Sequence, residues 1–184
     1  MINKNKNGFT LIETIVYFGI FIIAASIMVI LTVNLTRNYT RIRIKSQVLV
    51  EAEKVLNVML NEIATAKGIY APTSCFGTSD AKTICQTGKR QLSFETTLNP
   101  PTGENSAYVD FYLDNQKIYV KRESQTAQTL TSDRIQISNL TFDYYNPSTN
   151  SASIKIRLTA GFNASDPQKI FQVNLDSSAA IRAY

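Results

Sequence analysis

Glu13 stands at the head of a run that is otherwise free of charge. No Asp, Glu, Lys or Arg occurs from Thr14 to Leu35. A carboxylate beside so apolar a stretch is costly in a membrane and calls for a partner or a role. Just upstream, Gly8 ends a short Lys-bearing leader and is followed by Phe9. A small residue between a basic leader and a bulky apolar residue has the make-up of a processing site. The other candidate chemistry lies in Cys75 and Cys85, the two cysteines of the chain. Histidine is absent, which removes the commonest general base and metal ligand, so Ser-His-Asp and Cys-His sites are excluded. Two thiols without histidine cannot close a tetrahedral zinc site. In a turn-rich stretch they read as a local disulfide in an oxidising compartment, the alternative being two unpaired loop thiols.

Weaker features give less. Arg37, Arg41, Arg43 and Lys45 form a basic cluster that fits DNA or anionic head groups, but a solvated face is the simpler reading. Net charge is +5, and removing Lys4 and Lys6 of the leader brings the 19 basic residues closer to the 14 acidic ones. Nucleic-acid binding therefore has little support. Tyr108, Tyr112, Tyr144 and Tyr145 suit a stacking surface, or simply a sheet half-covered by a helix. Asp110, Asp114, Asp133 and Asp143 lack the spacing of a calcium loop. No Gly-rich phosphate loop, metal motif or catalytic constellation occurs, so no cofactor and no enzymatic activity is expected.

The elements that carry these residues follow from periodicity. The chain has 184 residues, enough for one modest domain and an anchor. Thr14 to Leu35 is 22 residues long, sufficient to cross about 30 Å of hydrocarbon as a helix. The polar leader is too short, and the apolar run too long, for an ordinary secretory signal. The run reads as a retained anchor. No Pro precedes Pro72, so the helix is expected to continue. Ile42, Leu49, Ala52, Leu56, Met59, Ile63 and Ala66, widened by Val48 and Val55, recur as a one-sided stripe. Gly68 after Lys67 reads as the stop. A helix from about Leu11 to Lys67 would be about 85 Å long.

Beyond it the period changes. Pro72 to Gly88 reads as a loop holding both cysteines, and Gln91–Thr96 as a short strand. Asn99–Gly103 reads as a turn. Tyr108–Leu113 and Lys117–Glu123 form a hairpin about Asp114-Asn115-Gln116. Arg134–Ile137 is a short strand, continued by Leu140–Tyr145. Turns at Pro147–Ser151 and Asn163–Pro167 flank Ser153–Ala160, and Ile170–Leu175 is the last strand. One buried and one solvated face is the mark of an antiparallel sheet, and the helix stripe is its natural cover. The class is α+β.

Lysines, then Gly8-Phe9-Thr10-Leu11-Ile12-Glu13, then about twenty apolar residues resembles the type IV prepilin family of pilins and of secretion and competence pseudopilins. The resemblance covers Lys4 to Leu35. It implies a pilin-like fold, cleavage after Gly8 by a membrane-embedded prepilin peptidase, and N-methylation of Phe9 with S-adenosylmethionine held by that peptidase. It divides the chain into a leader (1–8), a transmembrane and filament-core helix (9–35), an amphipathic helix of the globular domain (36–67), and a loop and antiparallel sheet domain (68–184). It implies that Glu13 meets the Phe9 amine of a neighbouring subunit, which sets axial register. Other pilin or pseudopilin subunits, an inner-membrane assembly platform and, before assembly, the lipid bilayer are the implied partners; DNA has only weak support. The chain departs from the major pilins in one respect. Ile20–Ile30 holds neither the Gly nor the Pro that usually loosens their helix. Its C-terminal strands are more similar to minor pilins and J-type pseudopilins.

The expected function is a structural subunit, a minor pilin or pseudopilin of a pilus-like, type II secretion or competence filament. The expected place is a single-pass inner-membrane protein with an extracytoplasmic C-terminal domain, then a surface filament or periplasmic pseudopilus. Basic residues flank the apolar run on both sides, so the cytoplasmic leader rests on the resemblance alone. The competing reading is a single-pass anchored binding module or adhesin that never assembles.

Overall fold

The computed structural model describes residues 10–77, 85, 90–148, 151–163 and 171–181. Among these residues one long helix, α1 (Leu11–Ala64), is followed by eight strands. These are β1 (Ala66–Ile69), β2 (Gln91–Thr96), β3 (Ala107–Asp114), β4 (Lys117–Arg122), β5 (Gln128–Thr129), β6 (Ile135–Ser148), β7 (Ser151–Phe162) and β8 (Gln172–Ala180). The arrangement is α+β, as expected. Contacts divide the chain into two units, the first ending at Arg43 and the second beginning at Ile44.

Among the described residues the first unit is helix from Leu11 onward. Its 11–35 stretch leaves Leu11, Phe18, Phe21, Met28 and Leu35 exposed, each by 65% or more. It is the one helix among the described residues long and apolar enough to cross a membrane. The few hydroxyls inside it are silenced locally. Ser26, Thr32 and Thr36 each donate to the carbonyl four residues back, at 2.8 Å. A hydroxyl bonded to its own helix carries no unmet donor into an apolar surrounding.

The second unit begins inside α1. Ile44, Val48, Ala52, Val55, Leu56, Met59 and Ile63 are buried there. Steps of three and four keep them on one face. The stripe therefore runs through Ile44, whereas the expected Ile42 is exposed. β1 to β5 form one antiparallel meander and β6 to β8 a second, so the single expected sheet is two. Both contribute to one core with the helix stripe. Phe94, Phe111 and Ile118 come from the first sheet, Phe142, Ile154 and Ile156 from the second, and all are at most 1% exposed.

The helix stops at Ala64, three residues short of Lys67, because the sheet claims the chain. Thr65 tightens the last turn with its N–H on the Glu62 carbonyl at 3.3 Å. Ala66–Ile69 then pairs with β2, with Lys67 bulged out of register. Ladder bonds outweigh the helical preference of Ala66 and Lys67. Gly68 is a strand residue and not a cap.

A bulge also joins what the sequence suggests as two pieces. Ile137 and Leu140 are an odd number of positions apart, which in a regular strand would place them on opposite faces. Ser138 is inserted between the pairs Ile137–Ala160 and Asn139–Thr159. Ser138 and Asn139 are both exposed, and Ile137 and Leu140 both stay buried. β6 is thus one strand. β8 likewise runs beyond Leu175 to Ala180. The turns expected at 147–151 and 163–167 fall partly outside the described residues, as does most of 78–89.

Candidate functional site at the helix start

Gly8 and Phe9, the expected cleavage and methylation positions, lie outside the described residues, as does the leader. What is described begins at Thr10. Its hydroxyl oxygen accepts the Glu13 N–H at 3.4 Å. Its carbonyl accepts the Thr14 N–H at 3.2 Å, the first bond of the helix ladder. Thr10 is therefore the N-cap, and Glu13 sits three residues into the helix. Thr-x-x-Glu before an apolar run is the sequence signature of this arrangement, a signal that the sequence reading above does not use.

Glu13 stands in the first turn of α1. The first turn of a helix carries the positive end of the backbone dipole. Glu13 is half-buried. One carboxylate oxygen, Oε1, accepts the Tyr17 hydroxyl at 3.3 Å, one turn further on. Among the described residues the other oxygen has no hydrogen bond, so the group retains capacity for one strong donor. An ammonium fits that capacity. Gly19 lies on the adjoining face with Leu11, Thr14, Ile15, Phe18 and Ile22. A Cβ added at Gly19 meets nothing within 4 Å.

Cys75 and Cys85 form a disulfide with Cα atoms 5.7 Å apart, which settles the choice against unpaired thiols. Both are buried. The stretch that leads into Cys75 bridges the two sheets through backbone bonds. Tyr70 donates to Ser93 of β2 at 2.9 Å and Cys75 to Gln91 of β2 at 2.8 Å, while Gly77 donates to Phe142 of β6 at 2.8 Å. Buried Ser74 accepts the Ser93 N–H at 2.9 Å. Phe76 stacks on Tyr144, ring centres 5.4 Å apart.

The remaining candidates are dispersed. Tyr112 stacks on Tyr119 at 5.4 Å and Tyr108 meets Tyr70 edge-on at 5.2 Å, both on the first sheet. Tyr144 belongs to the second sheet, so the four tyrosines do not make one surface. Burial raises the Tyr112 phenol above its ordinary range. Asp133 pairs with Lys117, and Asp143 with Arg157. Lys117 holds the Asp133 carboxyl below the usual range through their hydrogen bond, and is itself raised by it. Glu95 and Lys67, 2.8 Å apart, shift in the same two directions for the same reason. No group of three or more His, Cys, Asp or Glu among the described residues is placed to hold a metal ion. A polar concavity of about 320 Å³ lies between Glu62, Thr96, Leu98, Arg122, Glu123 and Gln125. Its cation, Arg122, is already paired with Glu62.

No protein-family model, no curated protein and no solved structure matches the chain.

Proposed function

We propose that the chain is a structural subunit, a minor pilin or pseudopilin, of a type IV pilus-like, type II secretion or competence filament. It is inserted in the inner membrane, cut after Gly8 by a prepilin peptidase, methylated at Phe9 and assembled through its apolar helix. One observation carries the reading. A carboxylate with one oxygen unused among the described residues stands in the capped first turn of an exposed apolar helix, four residues from the position where cleavage would create an amine. Across two subunits shifted along a common axis, Glu13 would neutralise the Phe9 ammonium in low dielectric, where a lone charge is expensive. The chain has no catalytic role in this reading.

Mass spectrometry of the chain recovered from cells with and without prepilin peptidase is the test. A methylated Phe9 at the N-terminus, present only with the peptidase, is the expected result. An intact Met1, or cleavage elsewhere, overturns the reading and favours an anchored module that does not assemble.

A further inference from the structure

The stretch after the apolar run is cationic on two sides of the helix and holds no acid. Between Glu13 and Glu51 the charged residues are Arg37, Arg41, Arg43 and Lys45. Lys45 lies over the Phe171 ring, 5.2 Å from its centre. Arg37, Arg41 and Arg43 make no ion pair or side-chain hydrogen bond with any described residue. All three are exposed.

Their height on the helix is specific. At 1.5 Å per residue they follow Leu35, the last residue of the uncharged run, by about 3, 9 and 12 Å. The headgroup layer adds about 5–8 Å to each side of the hydrocarbon. Side chains in a helix lean back toward its N-terminus, which here is toward Leu35. Long arginine stems bring Arg41 and Arg43 into the same layer as Arg37. Arg37 and Arg41 lie about 40° apart around the axis, with Arg43 on another side, so lipids on two sides of the helix are within reach. Tyr39, 69% exposed, sits among them. Its distance from Tyr17 along the axis is about 33 Å, close to one hydrocarbon thickness. Tyrosines at that separation are the usual interfacial anchors.

We propose that Arg37, Arg41 and Arg43 bind the phosphate groups of anionic phospholipids in the leaflet on the C-terminal side of the apolar run. Guanidinium forks match phosphate oxygens two at a time. The inference rests on the membrane-inserted stage of the proposed function and names the partner of that stage. Such contacts hold the subunit in the bilayer and must be given up when it leaves for a filament.

The test is native mass spectrometry of the full chain released from nanodiscs made of equal phosphatidylglycerol and phosphatidylcholine. Wild type should retain phosphatidylglycerol over phosphatidylcholine by roughly fivefold, and the Arg37→Gln/Arg41→Gln/Arg43→Gln variant should fall to parity. The three positions are exposed, and circular dichroism checks that the variant is folded. A triple Lys variant should keep a part of the preference. Equal retention by wild type, or an unchanged preference in the Gln variant, overturns the proposal. Binding of duplex DNA by wild type, lost in the Gln variant and unaccompanied by lipid preference, overturns it in favour of nucleic acid. The measurement does not need cleavage at Gly8. An intact Met1 in cells would defeat the filament reading and leave the lipid result standing.

Discussion

Tyr17 donates its hydroxyl to Oε1 of Glu13 across 3.3 Å, one turn along the helix. The bond occupies one oxygen of the carboxylate, and among the described residues the other has no hydrogen bond, which is where the proposed assembly would bring a cation. It also gives the charge a polar neighbour before any partner arrives. If about twenty residues ending at Leu35 fill the hydrocarbon, Glu13 lies just outside that layer. In the proposed function its cost in the inserted monomer would then be modest, and the proposed pairing would matter chiefly in the assembled state.

The proposed assembly separates the two residues experimentally. Glu13→Ala should insert into the membrane normally and fail to enter sheared filaments. Tyr17→Phe removes one exposed hydrogen bond to the carboxylate and should lower incorporation less than Glu13→Ala does. Immunoblots of membrane and filament fractions read both. Normal incorporation of Glu13→Ala would argue against the pairing.

The turn between β3 and β4 should accept a stabilising change. Asn115 and Gln116 have φ of 47° and 62°, the left-handed region at both central positions. Asn-Gly is the preferred pair for such a turn. The Gln116 carbonyl accepts the Ile137 N–H at 2.8 Å, so the backbone must keep this shape. Gln116→Gly should raise unfolding stability by about 0.5–1 kcal/mol, measured by urea denaturation in detergent. A fall would show that the side chain contributes more than its strain costs.

Removing the disulfide should weaken the second unit without dissolving it. The bond spans ten positions, and a loop of that size is worth about 2–3 kcal/mol in the chain-entropy view. Cys75→Ser/Cys85→Ser should lower stability by that amount. Amide exchange at Gly77 should quicken more than at Phe111, which lies in the core of the first sheet.

The Lys117–Asp133 pair should respond to acid. The Asp133 carboxyl is held below its ordinary range by the lysine, so the folded state binds its proton less readily than the unfolded chain. That stabilisation is present above the unfolded value, about 3.9, and is lost as pH falls through the lower folded value. Denaturation midpoints of wild type should therefore drop more steeply below about pH 4 than those of Asp133→Asn. Parallel profiles would show that screening at this exposed site erases the effect.

Much of this architecture was legible in the residues. Gln91–Thr96 and the Asn115-Gln116 hairpin follow from local alternation and turn chemistry, and both stand as read. The misses are tertiary. Ala66 and Lys67 are helical by propensity and join a strand because β2 offers them a ladder. β6 looked broken because a bulge at Ser138 is invisible to strict period-two reading. β8 was cut short because Ser177-Ser178-Ala179-Ala180 lacks large apolar residues, although it pairs with β7 to Ala180. At the helix start Glu13 stood out by its charge, while its support from Thr10 and Tyr17 needed the helical frame. The choice between one sheet and two could not come from alternation, which reports faces and not neighbours.

The bond from Gly77 to Phe142 has a consequence in time. Its donor belongs to the stretch just after the helix, and its acceptor lies in a strand made much later in the chain. Contacts between such distant positions form late, because the intervening chain must first be ordered. Cys75 can join Cys85 early, but the clasp between the sheets cannot shut until β6 has been delivered. A domain translocated as it is synthesised would carry this stretch unclasped from β6 for most of that journey. The last strands to arrive would then decide when the domain is finished.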